Sequence, residues 1–118
     1  MQLVLAVYRL VEGFPRKEQF ALCDQLRRAV VSVPSNIAEG FGRDTHKEFA
    51  HFLSMSRGSL YEVETQLEIA SLLGYVALDD AILRLMNSVS KMLGALMRRQ
   101  NGSSHKAPGT NHQAPTTN

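Results

Sequence analysis

Phe49, Leu53, Ser56, Leu60, Val63, Leu67 and Ala70 follow one another at alternating intervals of four and three. Only an α-helix gathers positions with that spacing on one face, because a strand returns to the same face every second residue. The chain is thereby committed to burying a long helical stripe against other helices. Thr45, with Glu48 three residues later, has the form of a capping box ahead of the stripe, and Gly74 supplies its stop. A helix over residues 45–73 would extend roughly 40 Å at about 1.5 Å per residue. Phe52, Met55 and Leu73 add a second apolar edge on one flank, while Arg57, Tyr61, Glu64 and Glu68 form a polar row on the other. Ser56, Gly58 and Ser59 are small enough to let another helix approach near the middle.

The same period recurs three more times. Leu3, Val7, Leu10 and Phe14 stripe a first helix that Gly13 and Pro15 end. Cys23, Leu26, Val30, Val33 and Ile37 stripe a second, expected over residues 17–33 with a continuation to about residue 40. Ile82, Leu85, Met86, Val89, Met92, Leu93, Leu96 and Met97 stripe a fourth, started by Asp79 or a neighbour, with Arg98 and Arg99 in the last turn where positive charge favours the helix dipole. Pro34 interrupts the second stripe without resetting its register. A proline removes one amide donor and clashes with the carbonyl four residues back, so a kink, or a stop and restart, is expected there. Ser35 or Asn36 could cap a restart, Asn36 with Glu39 would form a second capping box, and Gly40 with Gly42 would end the helix. Phe20 and Val31 lie off the main stripe, so this helix is apolar on more than one face, as befits a central helix or one shared with another subunit.

At 118 residues, 44% of them hydrophobic and 20% charged, the chain has material for one core. Residues 1–100 are read as one helical domain. Residues 101–118 are mostly Gly, Ser, Thr, Asn, Pro and His without a large aliphatic side chain, and are expected to be a disordered tail. A formal net charge of +2 neither demands nor excludes a nucleic-acid partner. Cys23 is the only cysteine, so no intrachain disulfide can form, and its place on the apolar stripe reads as a small buried hydrophobe. The opening MQLVLAV lacks a basic leading region and runs directly into Arg9 and Glu12, so it reads as helix and not as a signal sequence. No membrane association and a cytoplasmic location are the resulting expectations.

Chemistry finds little purchase. Ser32, Ser35, Ser54, Ser56 and Ser59 are bracketed by no base and orienting partner, and read as caps and packing residues, so no catalytic residue and no enzyme activity are expected. His46 and His51 fall on different helix faces, and Glu48 with His51 matches a di-iron Glu-x-x-His spacing only once, so neither metal nor cofactor is expected. Arg27, Asn36, Glu39, Glu64 and Glu68 form a candidate polar network in which Arg27 could meet Glu64 or Glu68 and fix helix register. Arg28, facing away from the stripe, and Arg43 and Lys47, flanking the glycine loop, are the candidate phosphate contacts. Phe20, Val31, Phe52, Met55 and Leu73 are the candidate oligomer interface.

RRAVVSVPSNIAEGFGR at residues 27–43, followed by KEFAHFLSMSRGSLYEVETQLEIASLLGY at residues 47–75, resembles the bacterial 23S rRNA intervening-sequence proteins, also called S23 proteins. The resemblance covers residues 3–99. It implies an antiparallel, up-and-down four-helix bundle, with the second helix kinked at its proline, that assembles into a homo-oligomeric ring of five subunits. Members of that family usually carry further residues ahead of the first helix, so either the start codon is misassigned here or the bundle lacks a turn or two at one end, which would leave facing side chains uncovered. The family's link to inserts in ribosomal RNA genes, and its likeness to pentameric bundles that accompany diversity-generating retroelements, imply RNA, DNA or a nucleic-acid-associated protein as partners by analogy alone. In a ring, a few arginines per subunit would concentrate positive potential on one rim. The functions expected are thus a self-associating interaction or scaffold module, or a nucleic-acid-binding protein that uses basic residues gathered by the assembly.

Overall fold

The computed structural model describes residues 1–102. Among them are four α-helices and no strand: α1 (Gln2–Glu12), α2 (Leu22–Phe41), α3 (His46–Leu72) and α4 (Asp80–Gly102), with a short 3-10 turn at Arg16–Glu18. The fold is all-α, as the spacing requires. Asn101 and Gly102 close α4, and the rest of the expected tail lies outside the described residues.

All seven positions of the α3 stripe are buried. They meet Leu3, Val7, Val11 and Phe14 from the first segment, Cys23, Leu26, Val30 and Val33 from α2, and Ile82, Met86, Leu93 and Leu96 from α4 in one core. Val11, which the four-three count passes over, is fully buried, whereas Leu10 is only half-buried against the core. The helix turns far enough over two rounds to bring position 11 inward alongside position 7. Around the core, α1 packs against α2 and α4, and α3 packs against α2 and α4. The α1–α2 and α3–α4 flanks therefore lie on opposite sides.

Local signals account for the helix ends. Thr45 caps α3 by accepting a hydrogen bond from the Glu48 amide at 3.1 Å, and Asp79 Oδ1 accepts from the Ile82 amide at 3.0 Å ahead of α4. After α3, the Gly74 and Tyr75 amides donate to the Ser71 and Ala70 carbonyls. Gly74, at φ +81°, supplies the left-handed residue that this reversal needs.

Three expectations for α2 are corrected. The helix begins at Leu22 and not near residue 17, because Ala21 adopts φ −124° and ψ −96°, outside the helical region, and separates α2 from the Arg16–Glu18 turn. It continues through Pro34 to Phe41, so Asn36 caps no restart; its Nδ2 donates instead to the Ser32 carbonyl at 2.9 Å. Gly40 is no stop signal but an interior position, and Gly42 is the C-cap.

Gly40 is small because α3 comes so close. A Cβ built there would lie 2.8 Å from Phe49 Cδ1 and 3.1 Å from Phe52 Cβ. Further along the same seam, the buried Ser56 hydroxyl donates to the Val33 carbonyl at 2.8 Å, next to the proline. Gly58, expected to admit a neighbouring helix, has no atom within 4 Å of its hypothetical Cβ. Ser56, fully buried against α2, fills that role. Among the described residues no helix is long and apolar enough to cross a membrane.

These two glycines should respond oppositely to alanine. Gly40→Ala overpacks the α2–α3 seam and is expected to lower unfolding free energy by about 1–3 kcal/mol. Gly58→Ala, in open space on a helix, should raise it by about 0.5–1 kcal/mol. Urea denaturation of both variants checks the pair.

Candidate functional site

Because Pro15 follows Gly13 and α2 starts only at Leu22, Phe20 is stranded on the connection between α1 and α2, 91% exposed. Leu72 and Leu73, in the last turn and cap of α3, are 81% and 55% exposed, and Ile69 is exposed one turn earlier. The Tyr75 hydroxyl donates to Glu18 Oε2 at 2.8 Å, tying the connection that bears Phe20 to the end of α3 that bears Leu72 and Leu73. Phe14 packs beneath, 5.8 Å from the Tyr75 ring. Val31 and Met55 are also exposed. Phe52 differs from the other interface candidates: it is half-buried against Gly40, with the Arg43 guanidinium 4.7 Å above its ring. Its apolar area is largely used within the subunit. Leu72, the second most exposed aliphatic side chain after Met1, was not among the sequence candidates, although its place on the far side of the α3 stripe signals it.

The candidate polar network separates into four unconnected groups. Arg27 bonds to Asp24 at 3.1 Å and donates to Gln19 Oε1 at 2.8 Å, and Gln19 Nε2 in turn donates to the Val11 and Phe14 carbonyls. Arg27 thus fastens the end of α1 to α2 and does not meet Glu64 or Glu68, because it sits on the side of α2 toward α1 while those carboxylates lie on the side of α3 toward α4. Asn36 bonds within its own helix, and Glu39 pairs with Arg43 one turn later. Glu64 and Glu68 border an open groove of about 400 Å³ between α3 and α4, together with Leu83 and Met86.

Of the basic candidates, Arg28 is 80% exposed and only 3.9 Å from Asp24, a surface pair worth little. Arg43 is held between Glu39 and Phe52, and Lys47 is exposed in the first turn of α3. Arg28 and Arg43 stand roughly 22 Å apart along the helix axis at about 1.5 Å per residue, so one subunit does not bring all three together. His46 Nδ1 shares a hydrogen bond with Gln100 Oε1, which joins the last turn of α4 to the start of α3, where Lys47 lies.

A family model described as 23S rRNA-intervening sequence protein matches residues 1–95. The chain belongs to that family. The match runs through α1, α2 and α3 and into α4 as far as Ala95. No curated protein matches the chain.

Two titratable groups in this family member depart from their ordinary behaviour. Burial pushes the Cys23 thiol up, and its sulfur lies 3.8 Å from the Val11 carbonyl, to which it donates. The protonated form is favoured, which makes the thiol a poor nucleophile. Among the described residues no group of three His, Cys, Asp or Glu side chains could hold a metal ion, and His105 and His112 lie outside them.

Tyr75 is raised above its ordinary value of 10.0, chiefly by its hydrogen bond to Glu18. The folded protein therefore keeps this proton more tightly than the unfolded chain, and the bond's contribution is whole below about pH 10 and lost as pH rises through the folded value. Tyr75→Phe should lower stability at neutral pH and flatten this part of the alkaline decline, as read by denaturant midpoints between neutral and alkaline pH.

Proposed function

We propose that this protein is a non-enzymatic self-associating module whose working form is a closed assembly of identical copies, and that it presents a surface to another macromolecule. The observation that carries this reading is the exposure of Phe20, Leu72 and Leu73 at one end of the subunit, held there by the Tyr75–Glu18 bond. Fully burying such a side chain is worth about 1.5–3 kcal/mol, and a soluble monomer that leaves several exposed together forgoes that gain. On this reading the subunit is an antiparallel up-and-down four-helix bundle with α2 bent at Pro34, the copies form a ring of five, and the assembly resides in the cytoplasm. The short connections between α2, α3 and α4 support the alternation of helix direction.

Light scattering at micromolar concentration should give a mass several times that of the 13.1 kDa chain. Phe20→Ser combined with Leu72→Ser should return it toward the monomer. A monomeric parent would end the reading.

Nucleic-acid binding is favoured by a separate observation, the His46–Gln100 bond that joins the last turn of α4 to the end of the subunit with Arg43 and Lys47. Symmetry would repeat that end around an assembly and bind phosphates without base discrimination. Filter binding of RNA or DNA at low salt should be weakened in an Arg28, Arg43 and Lys47 triple alanine variant and fall steeply with salt. Equal retention by parent and variant would remove this reading.

A further inference from the structure

We propose that the α3–α4 face of one copy, which bears Glu64 and Glu68, packs on the face of the next that bears Arg28 and Val31, so that copies join head to tail. This inference rests on the self-association proposed above and adds to its apolar end, with Phe20, Leu72 and Leu73, a charged contact between the flanks of neighbouring copies. The groove carries Glu64 and Glu68 on one wall, and among the described residues neither has an ion-pair partner. Its apolar part is supplied by Met86 and the exposed Leu83.

The opposite flank is its chemical complement. Tyr8, Arg28 and Val31 border a second shallow depression between α1 and α2, and all three are exposed. Two arginines stand there against the single carboxylate of Asp24. Asp24 is already engaged by Arg27 at 3.1 Å, leaving Arg28 with a contact of 3.9 Å. A carboxylate arriving from outside would compete easily with so weak a pair.

The fold dictates the mode of joining. Because the helices pack in the cyclic order α1, α2, α3, α4, the acidic groove and the basic face point away from each other. Two copies related by a two-fold axis cannot satisfy both surfaces in one contact. Each contact is heterologous, and repetition closes into a ring if the rotation permits. The pairing also supplies register, since a like-charged surface meeting the groove would be rejected.

The test is a charge exchange read by sedimentation velocity in low-salt buffer, with circular dichroism confirming that each variant folds. Arg28→Glu and Glu68→Arg should each weaken association by at least about tenfold, as expected when a close pair is replaced by like charges. The chain carrying both substitutions restores opposite charges at every contact and should recover most of the loss. A 1:1 mixture of the two single variants should also associate, because each supplies the other's complement, but only in alternation, which an odd-numbered ring cannot close. If the parent assembles while the single variants assemble equally well, or the combined variant is no better than either, the head-to-tail pairing is wrong and self-association stands. A monomeric parent overturns both.

Discussion

The approach of α2 to α3 determines where everything else in this protein can go. Gly40 has no side chain where Phe49 and Phe52 press in, and Ser56 reaches the Val33 carbonyl through the gap that its own small size leaves. Two contacts of that closeness fix the relative height and rotation of the helices, since a slip of one residue would drive a Cβ into an aromatic ring. With α2 and α3 locked, the remaining faces of both stripes are left for α1 and α4, and the core closes around Leu60, Val63 and Leu67. Pro34 sits in the middle of this seam without ending α2, flanked by carbonyls that accept from Ser56 and Asn36. The carbonyl that the proline leaves without its helical donor is that of Val30, four residues back.

Periodicity made the four helices legible, and capping chemistry located several of their ends. Thr45, Asp79 and Gly74 behave as their residue types predict because each acts through its own backbone or that of the next turn. Gly40 was misread for the opposite reason. A glycine near a helix end looks the same whether it breaks the helix or admits a neighbour, and only the position of Phe49 decides between them. The start of α2 was misplaced because no glycine or proline lies between Arg16 and Leu22 to mark a break, while the backbone at Ala21 leaves the helical region. Arg27 likewise has several reachable acids in sequence, and the choice of Asp24 with Gln19 follows from which side of α2 faces α1.

The candidate surfaces were only partly legible. Val31, Met55, Phe20 and Leu73 are exposed as an off-stripe position should be, but Phe52, on the same flank by spacing, is drawn inward by the space above Gly40 and covered by Arg43. Leu72 escaped notice because a single apolar residue on a polar face is unremarkable until its neighbours at the same end are known. The basic candidates show the limit of linear reading most clearly: Arg28 lies on one flank, whereas Arg43 and Lys47 lie at the end joined to α4 by His46 and Gln100. Only an assembly of copies could combine them.

On the proposed reading, the apolar side chains left outside the core and the charges left without partners have one cause, which is that the folded unit is completed by its neighbours. If so, fold stability includes the energy of the contacts between copies and must obey mass action. The most direct measurement is the urea midpoint of the native protein over a hundredfold range of protein concentration. The account predicts a midpoint that climbs steadily with concentration. A midpoint that stays constant across that range, with the chain sedimenting as a single copy throughout, would contradict it.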